Sequence, residues 1–247
     1  MDPSPDRTSS ARFPTTHWSR VVAASGRATP DDREALAELC RAYWYPLYAF
    51  IRRKGFQPDD AQDLTQAYFT RLLQTGVLAA ADPEKGRFRA FLRTDCGFFL
   101  ADQRDRANAL KRGGGVAPVS FDARDAEGRY QIEPADRFTP DHLFDHAWAL
   151  TLLDGVLDQL TREYADSGRA ELFAQLKVVL ADGPRSVSYA RIATQLAMSE
   201  VAVQSAVQRV RRRYRNLVRE RIAATLGDPS PAEVEDEIRA LFSTLER

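Results

Sequence analysis

The chain has 247 residues, 44% of them hydrophobic and 28% charged, with 35 basic side chains balanced by 35 acidic ones. That size suits one large domain or two small ones of a globular protein. No apolar run is long enough to cross a bilayer, the opening MDPSPDRTSSARF lacks the hydrophobic stretch of a secretory signal, and Cys40 and Cys96 sit in helical patterns that suggest neither a disulfide framework nor a metal site, so a reducing cytoplasm is the expected compartment.

The pattern along the chain is helical throughout. Residues 1–12 read as disordered, and Phe13 to Ala24 reads as a short helix that packs Trp18, Val21 and Val22. Asp31 to Gly55 follows as a strongly amphipathic helix with Leu36, Leu39, Cys40, Tyr43, Leu47, Phe50 and Ile51 on its buried stripe. Pro46 is expected to kink it and Gly55 to end it. Pro58 starts a helix running to about Thr75, with Ala61, Leu64, Tyr68 and Leu72 inward, Phe69 and Leu73 beside them, and Gly76 closing it. After a loop over Ala79–Gly86, a third helix runs from Arg87 toward Arg112. It interleaves Phe88, Phe91, Leu92, Phe98, Phe99 and Leu100 with Arg87, Arg89, Arg93, Arg104 and Arg106. Two readings stay open for it: a core helix with a basic outer face, or a platform on which unstacked bases lie while arginines hold the backbone.

Gly113-Gly114-Gly115 stops that helix, and Val116 to Pro140, polar, acidic and proline-containing, is expected to be a flexible linker. A second helical body begins near His142 with a helix carrying Phe144, Trp148, Leu152, Leu153, Val156, Leu157 and Leu160. His142 and His146, four apart at its start, read as a cap region rather than a ligand pair. Ala170–Leu180 forms another helix, broken after Asp182-Gly183-Pro184. Pro229 and Pro231 start a final acidic helix, Ala232 to Leu245. No β-alternation of any length is present, so the fold class is all-α, with two helical bodies joined by a linker.

Ser188 to Ile222 is the most informative stretch. Tyr189–Leu196 reads as a short helix, Ala197-Met198-Ser199 as a turn, and the rest as a longer helix N-capped by Ser199, with Glu200 suited to its dipole. Val203, Val207, Val210, Tyr214 and Leu217 form one apolar stripe. This is helix-turn-helix patterning: Ala193 falls where two helices must approach closely and Val203 where an apolar plug is needed, while Ala197 stands where many such motifs carry Gly. Gln204, Ser205, Gln208, Arg209 and Arg212 lie off the stripe, where glutamine can read adenine and arginine guanine in the major groove. The arginines from Arg209 to Arg221 suit phosphate. Although net charge is zero, it is segregated. Lys85 to Arg112 holds eight basic residues against three acidic ones, and the balancing acids lie in Phe121–Asp145 and after Gly227. Basic binding surfaces joined by acidic segments are the expected arrangement.

In this order the motifs resemble sigma factors of bacterial RNA polymerase, specifically the small extracytoplasmic-function (ECF) group of the sigma-70 family. DDAQDLTQAYFTRLL at 59–73 resembles the helix with which those proteins grip the polymerase clamp. The run from Arg87 to Arg112 resembles the helices that melt and read the −10 element, and Ser188–Ile222 the helix-turn-helix that reads the −35 element. The opening PTTHWS and the KRGGG after the third helix are similar to a subgroup of these factors. The resemblance covers roughly residues 30–112 and 143–225. It implies an N-terminal extension with a short helix at 1–29, a region 2-like helical bundle at 30–112, a flexible acidic linker at 113–142, a region 4-like domain at 143–226 and an acidic helix at 227–247.

The same resemblance implies roles. Asp60, Asp63, Leu64, Gln66, Phe69 and Leu72 fall on the polymerase-binding motif. Gln204, Ser205, Gln208, Arg209 and Arg212 fall on the −35 reading helix. Arg87, Arg89, Phe91, Arg93, Phe98, Arg104 and Arg106 fall on the −10 and melting segment. Phe91 falls where a tryptophan often helps open the duplex, and Phe98 where asparagine often holds a flipped base. The implied partners are core RNA polymerase and promoter DNA, with no cofactor, metal or membrane. Gln62 and Ala67 replace acids usual in the clamp-gripping helix, which leaves two readings: Asp59, Asp60 and Asp63 suffice and Thr65 is an ordinary helix residue, or a Ser/Thr kinase acts at Thr65 to restore negative charge. An anti-sigma factor is the other regulator the resemblance leaves room for. No Ser-His-Asp set, phosphate-cradling glycine loop or metal-ligand cluster is legible, so no enzymatic activity is expected. The rival reading is a helix-turn-helix regulator with a helical sensing or dimerisation domain that binds DNA without polymerase.

Overall fold

Prolines mark where helices begin in this chain. Pro30, Pro58, Pro140 and Pro231 each occupy a first helical position, where the missing N–H costs nothing and the fixed φ is already helical. The computed structural model describes residues 30–75, 77–80, 87–109, 123–132, 138–182, 188–226 and 229–246. The helices are α1 (Pro30–Arg53), α2 (Pro58–Gln74), α3 (Phe88–Ala109), α4 (Ala123–Ile132), α5 (Pro140–Asp166), α6 (Ala170–Asp182), α7 (Tyr189–Gln195), α8 (Glu200–Ala223) and α9 (Pro231–Leu245), with a 3₁₀ turn at Val77–Ala80. The described residues are all-α, without strands. The expected helix at Phe13–Ala24, the disordered start, Gly76 and the Gly113–Gly115 stop lie outside the described residues.

α1 is the central element. Its last two turns are buried all round, from Tyr43 to Ile51, because it packs α2 on one side and α5 on another. The helix assignment runs through Pro46 without a break, and Gly55 takes the left-handed conformation (φ +95°) that ends the turn behind it. α2 returns against α1 and is tied to α3 by the Tyr68 hydroxyl, which donates to the Leu92 carbonyl at 3.1 Å, and by the two-pronged Arg71–Asp95 pair at 2.9 and 3.3 Å. Leu92, Cys96, Phe99 and Leu100 form the buried side of α3. Burial pushes the Cys40 thiol up to about 11 and the Cys96 thiol higher still, so both stay protonated at neutral pH.

α5 lies along α1 and buries Leu143, Phe144, Ala147, Trp148 and Ala149. The Phe50 and Phe144 rings meet edge-on with centroids 6.1 Å apart, and Arg53 Nε donates to the Phe138 carbonyl at 2.7 Å. The buried residues of α1–α3 and of α5–α9 therefore form one continuous cluster. Among the described residues, no break in this cluster marks the expected division into two helical bodies.

The expected flexible linker over Val116–Pro140 also needs correction, because residues 123–132 are helix α4. Of its described side chains only Ala126 is buried. It is held instead by charge: Glu127 takes Arg52 Nε at 2.9 Å and Nη2 at 3.0 Å and accepts the Tyr48 hydroxyl. Arg129 lies over the Tyr45 ring at 4.2 Å. Although partial desolvation opposes it, this hydrogen bonding to Arg52 and Tyr48 holds the Glu127 carboxyl below its ordinary range.

A second charged link joins α5 to α8. Glu163 accepts Arg213 Nη2 at 2.7 Å and Nε at 2.9 Å. That hydrogen bonding holds the Glu163 carboxyl below the ordinary glutamate range. A depressed folded-state pKa gives stability that is present above the unfolded value, about 4.3, and is lost as pH falls through the folded value. Thermal melting followed across that acid range is expected to show a smaller pH-dependent fall for Glu163→Gln than for the native chain. An equal fall would mean that the pair is too solvated to matter.

Candidate nucleic-acid interface

α7 and α8 form the expected helix-turn-helix. α7 buries Ile192 and Ala193 against α8, which contributes Val203, Ala206, Val207 and Val210. Ala193, 6% exposed, sits where a larger side chain would push the helices apart, and Val203 is fully buried between them. The Ser199 hydroxyl caps α8 by accepting the Ala202 N–H at 3.2 Å. Leu217, Val218 and Ile222 extend the buried stripe, while Tyr214 is half-buried.

The turn pivots on Ala197, whose φ of +49° makes it the one non-glycine residue in the left-handed region among the described residues. An L side chain there costs roughly 1–2 kcal/mol, partly offset by glycine's greater flexibility when unfolded. Ala197→Gly is therefore expected to raise stability by up to about 1 kcal/mol in urea titration. A destabilised variant would show that the Ala197 methyl group packs.

The expected reading residues lie together on the outer side of α8. Gln204, Gln208, Arg209 and Arg212 are exposed and Ser205 is half-buried. Behind them a shallow concavity of about 560 Å³ is lined by Gln208, Arg211, Arg212, Arg215, Asn216 and Arg219. A run of guanidinium groups on one helix face presents forked donors to a phosphate backbone. Two other arginines of α8 are engaged within the protein, Arg213 by Glu163 and Glu220 and Arg221 by Gln159, and Arg219, on the edge of the concavity, is taken by Glu235 at 2.6 Å.

The α3 surface departs from expectation. Phe88 is buried, Phe91 is half-buried and stacks on it at 6.2 Å, and Phe98 is 70% exposed. Of the aromatic residues expected to meet bases, Phe98 alone stands clear on the surface. Arg89 is a correction: it is only 9% exposed, its guanidinium lies 4.5 Å from the Trp148 ring centroid, and it pairs with Asp145 at 3.2 Å and with Glu237. Arg93 pairs with Asp145 at 2.8 Å and lies near Asp141, and Arg87 reaches Glu237 at 2.7 Å. Arg104 donates to the Lys54 carbonyl and covers the Phe56 ring. The Arg106 side chain lies outside the described residues. The inner face of this helix is core, and Phe98 is exposed on its outer side.

α2 presents a separate acidic face. Asp59, Asp60 and Asp63 are exposed, and Leu64 and Gln66 are half-buried beside them, with Leu73 40% exposed at the far end. Asp59 and Asp60 in the first turn also suit the helix dipole. Phe69 and Leu72 do not belong to this face. They are 6% and 0% exposed and pack in the core, so they support the surface rather than contact a partner. Thr65 is fully buried and its hydroxyl donates to the Ala61 carbonyl at 2.6 Å, so a kinase cannot reach it in this conformation.

Among the described residues, no group of His, Cys, Asp and Glu is arranged to hold a metal ion, and no helix is long and apolar enough to cross a membrane. Comparison with family models, with curated proteins and with solved structures finds no match to the chain.

Proposed function

We propose that the protein is a sigma factor of the extracytoplasmic-function kind, acting in the cytoplasm, which binds core RNA polymerase and directs initiation at promoters with −35 and −10 elements. The observation that carries this reading is the co-occurrence of two separate surfaces on one chain. One is a helix-turn-helix whose outer face carries Gln204, Gln208, Arg209 and Arg212, and the other is the acidic face of Asp59, Asp60 and Asp63 on α2. The first suits the major groove, where glutamine and arginine read base edges bidentately. The second suits a basic protein surface, where complementary charge speeds and orients docking. Phe98, exposed on α3, supplies a ring on which an unstacked base can lie, offsetting part of the few kcal/mol that extrusion costs. The chemistry of RNA synthesis belongs to the polymerase.

A helix-turn-helix regulator acting as a dimer remains the second reading, because α7 and α8 serve it equally well. The acidic face on α2 favours the first. Affinity capture on purified core polymerase separates the two: a stoichiometric complex formed without DNA supports the sigma reading, and a protein that ignores polymerase while binding DNA as a dimer supports the regulator.

A further inference from the structure

The C-terminal helix α9 touches both basic surfaces at once. Between Pro231 and Glu246 it carries Glu233, Glu235, Asp236, Glu237 and Glu246 against the single basic residue Arg239. Its start is fixed by a capping box between Ser230 and Glu233, and its apolar side, Val234 and Leu241, seats it on α5 and α8. Residues two apart on a helix face different ways. Glu235 accordingly turns to α8, where it takes Arg219 Nε at 2.6 Å, and Glu237 turns to α3, where it lies 2.7 Å from Arg87 Nε and against Arg89. The Glu237 carboxylate is 1% exposed, and its contacts are close approaches without the alignment of hydrogen bonds. A carboxylate offers arginine the same paired oxygens that a phosphate does.

We propose that α9 is an acidic strap that stands in for DNA, occupying arginines of the α3 and α8 surfaces in the free protein and yielding them when nucleic acid binds. This rests on the reading of α3 and α8 as DNA-facing. Because the coupling is reciprocal, whatever lifts α9 raises DNA affinity, and DNA in turn lifts α9.

The test uses the full chain and two fluorescein-labelled probes of mixed sequence, a short single strand and a short duplex, read by anisotropy at one fixed salt concentration. Glu235 is about half exposed, so Glu235→Gln should melt like the native protein and bind the duplex about fivefold more tightly. Glu237→Gln should bind the single strand about tenfold more tightly, and adding Arg87→Ala should take that gain back. Should Glu237→Gln fail to fold, the Glu235→Gln arm decides alone. Variants that fold and bind both probes no better than the native chain overturn the strap and leave the DNA reading standing. Absence of binding to either probe by the native chain and every variant overturns the DNA reading, and the strap with it.

Discussion

Phe144→Ala is expected to destabilise the whole protein by about 3–5 kcal/mol, the usual cost of emptying a fully buried phenylalanine site. Phe144 has no exposed surface, and its ring meets Phe50 across the contact between α5 and α1. A protein of ordinary stability, about 5–15 kcal/mol, would lose a large fraction of it. Since one buried cluster runs from α1 to α9, the loss should appear as a single shifted transition in urea, by circular dichroism and by tryptophan fluorescence alike. Two transitions, with α1–α3 melting as in the native chain, would show that the halves fold independently and only touch.

The second large effect is expected on α2. Asp63→Lys places a cation in the middle of the exposed acidic face, where nothing in the fold depends on Asp63. Surface changes of this kind leave stability within about 0.5 kcal/mol. Apposing a like charge to a basic partner costs several kcal/mol, so affinity for core polymerase should fall by on the order of 3 kcal/mol, roughly a hundredfold. Asp60→Lys should add to it. Phe69→Ala and Leu72→Ala, by contrast, should lower the melting temperature, because those side chains hold α2 in the core. If Asp63→Lys binds polymerase as the native protein does, the acidic face is not the docking surface.

Much of this was legible in the sequence because it depends on local pattern. The apolar stripe of α8, the Ser199 cap and the close approach at Ala193 are all set by residue type and spacing. Prolines at helix starts made most boundaries readable to within a residue or two. What could not be read depends on contacts between distant segments. α4 has no apolar stripe, and its helix is held by Glu127 reaching Arg52 and Tyr48 some seventy-five residues earlier. Arg89 looked like a surface cation because it alternates with apolar residues alongside Arg87 and Arg93. Its burial comes from Trp148, Asp145 and Glu237, which only the fold brings together. Phe69 and Leu72 carried a motif resemblance to a partner-facing surface, while the helical repeat set them on or beside the inward stripe, and the fold follows the repeat. The acidic count after Gly227 was the visible trace of α9, but charge composition does not say which arginines it meets.

Transcription by purified core polymerase on a library of linear DNA fragments, with the 5′ ends of the RNA sequenced, tests the central claim most directly. The sigma reading predicts that adding this protein concentrates those ends at discrete start sites sharing two upstream elements. The same scatter of ends with and without the protein, at concentrations where it binds DNA, would contradict it.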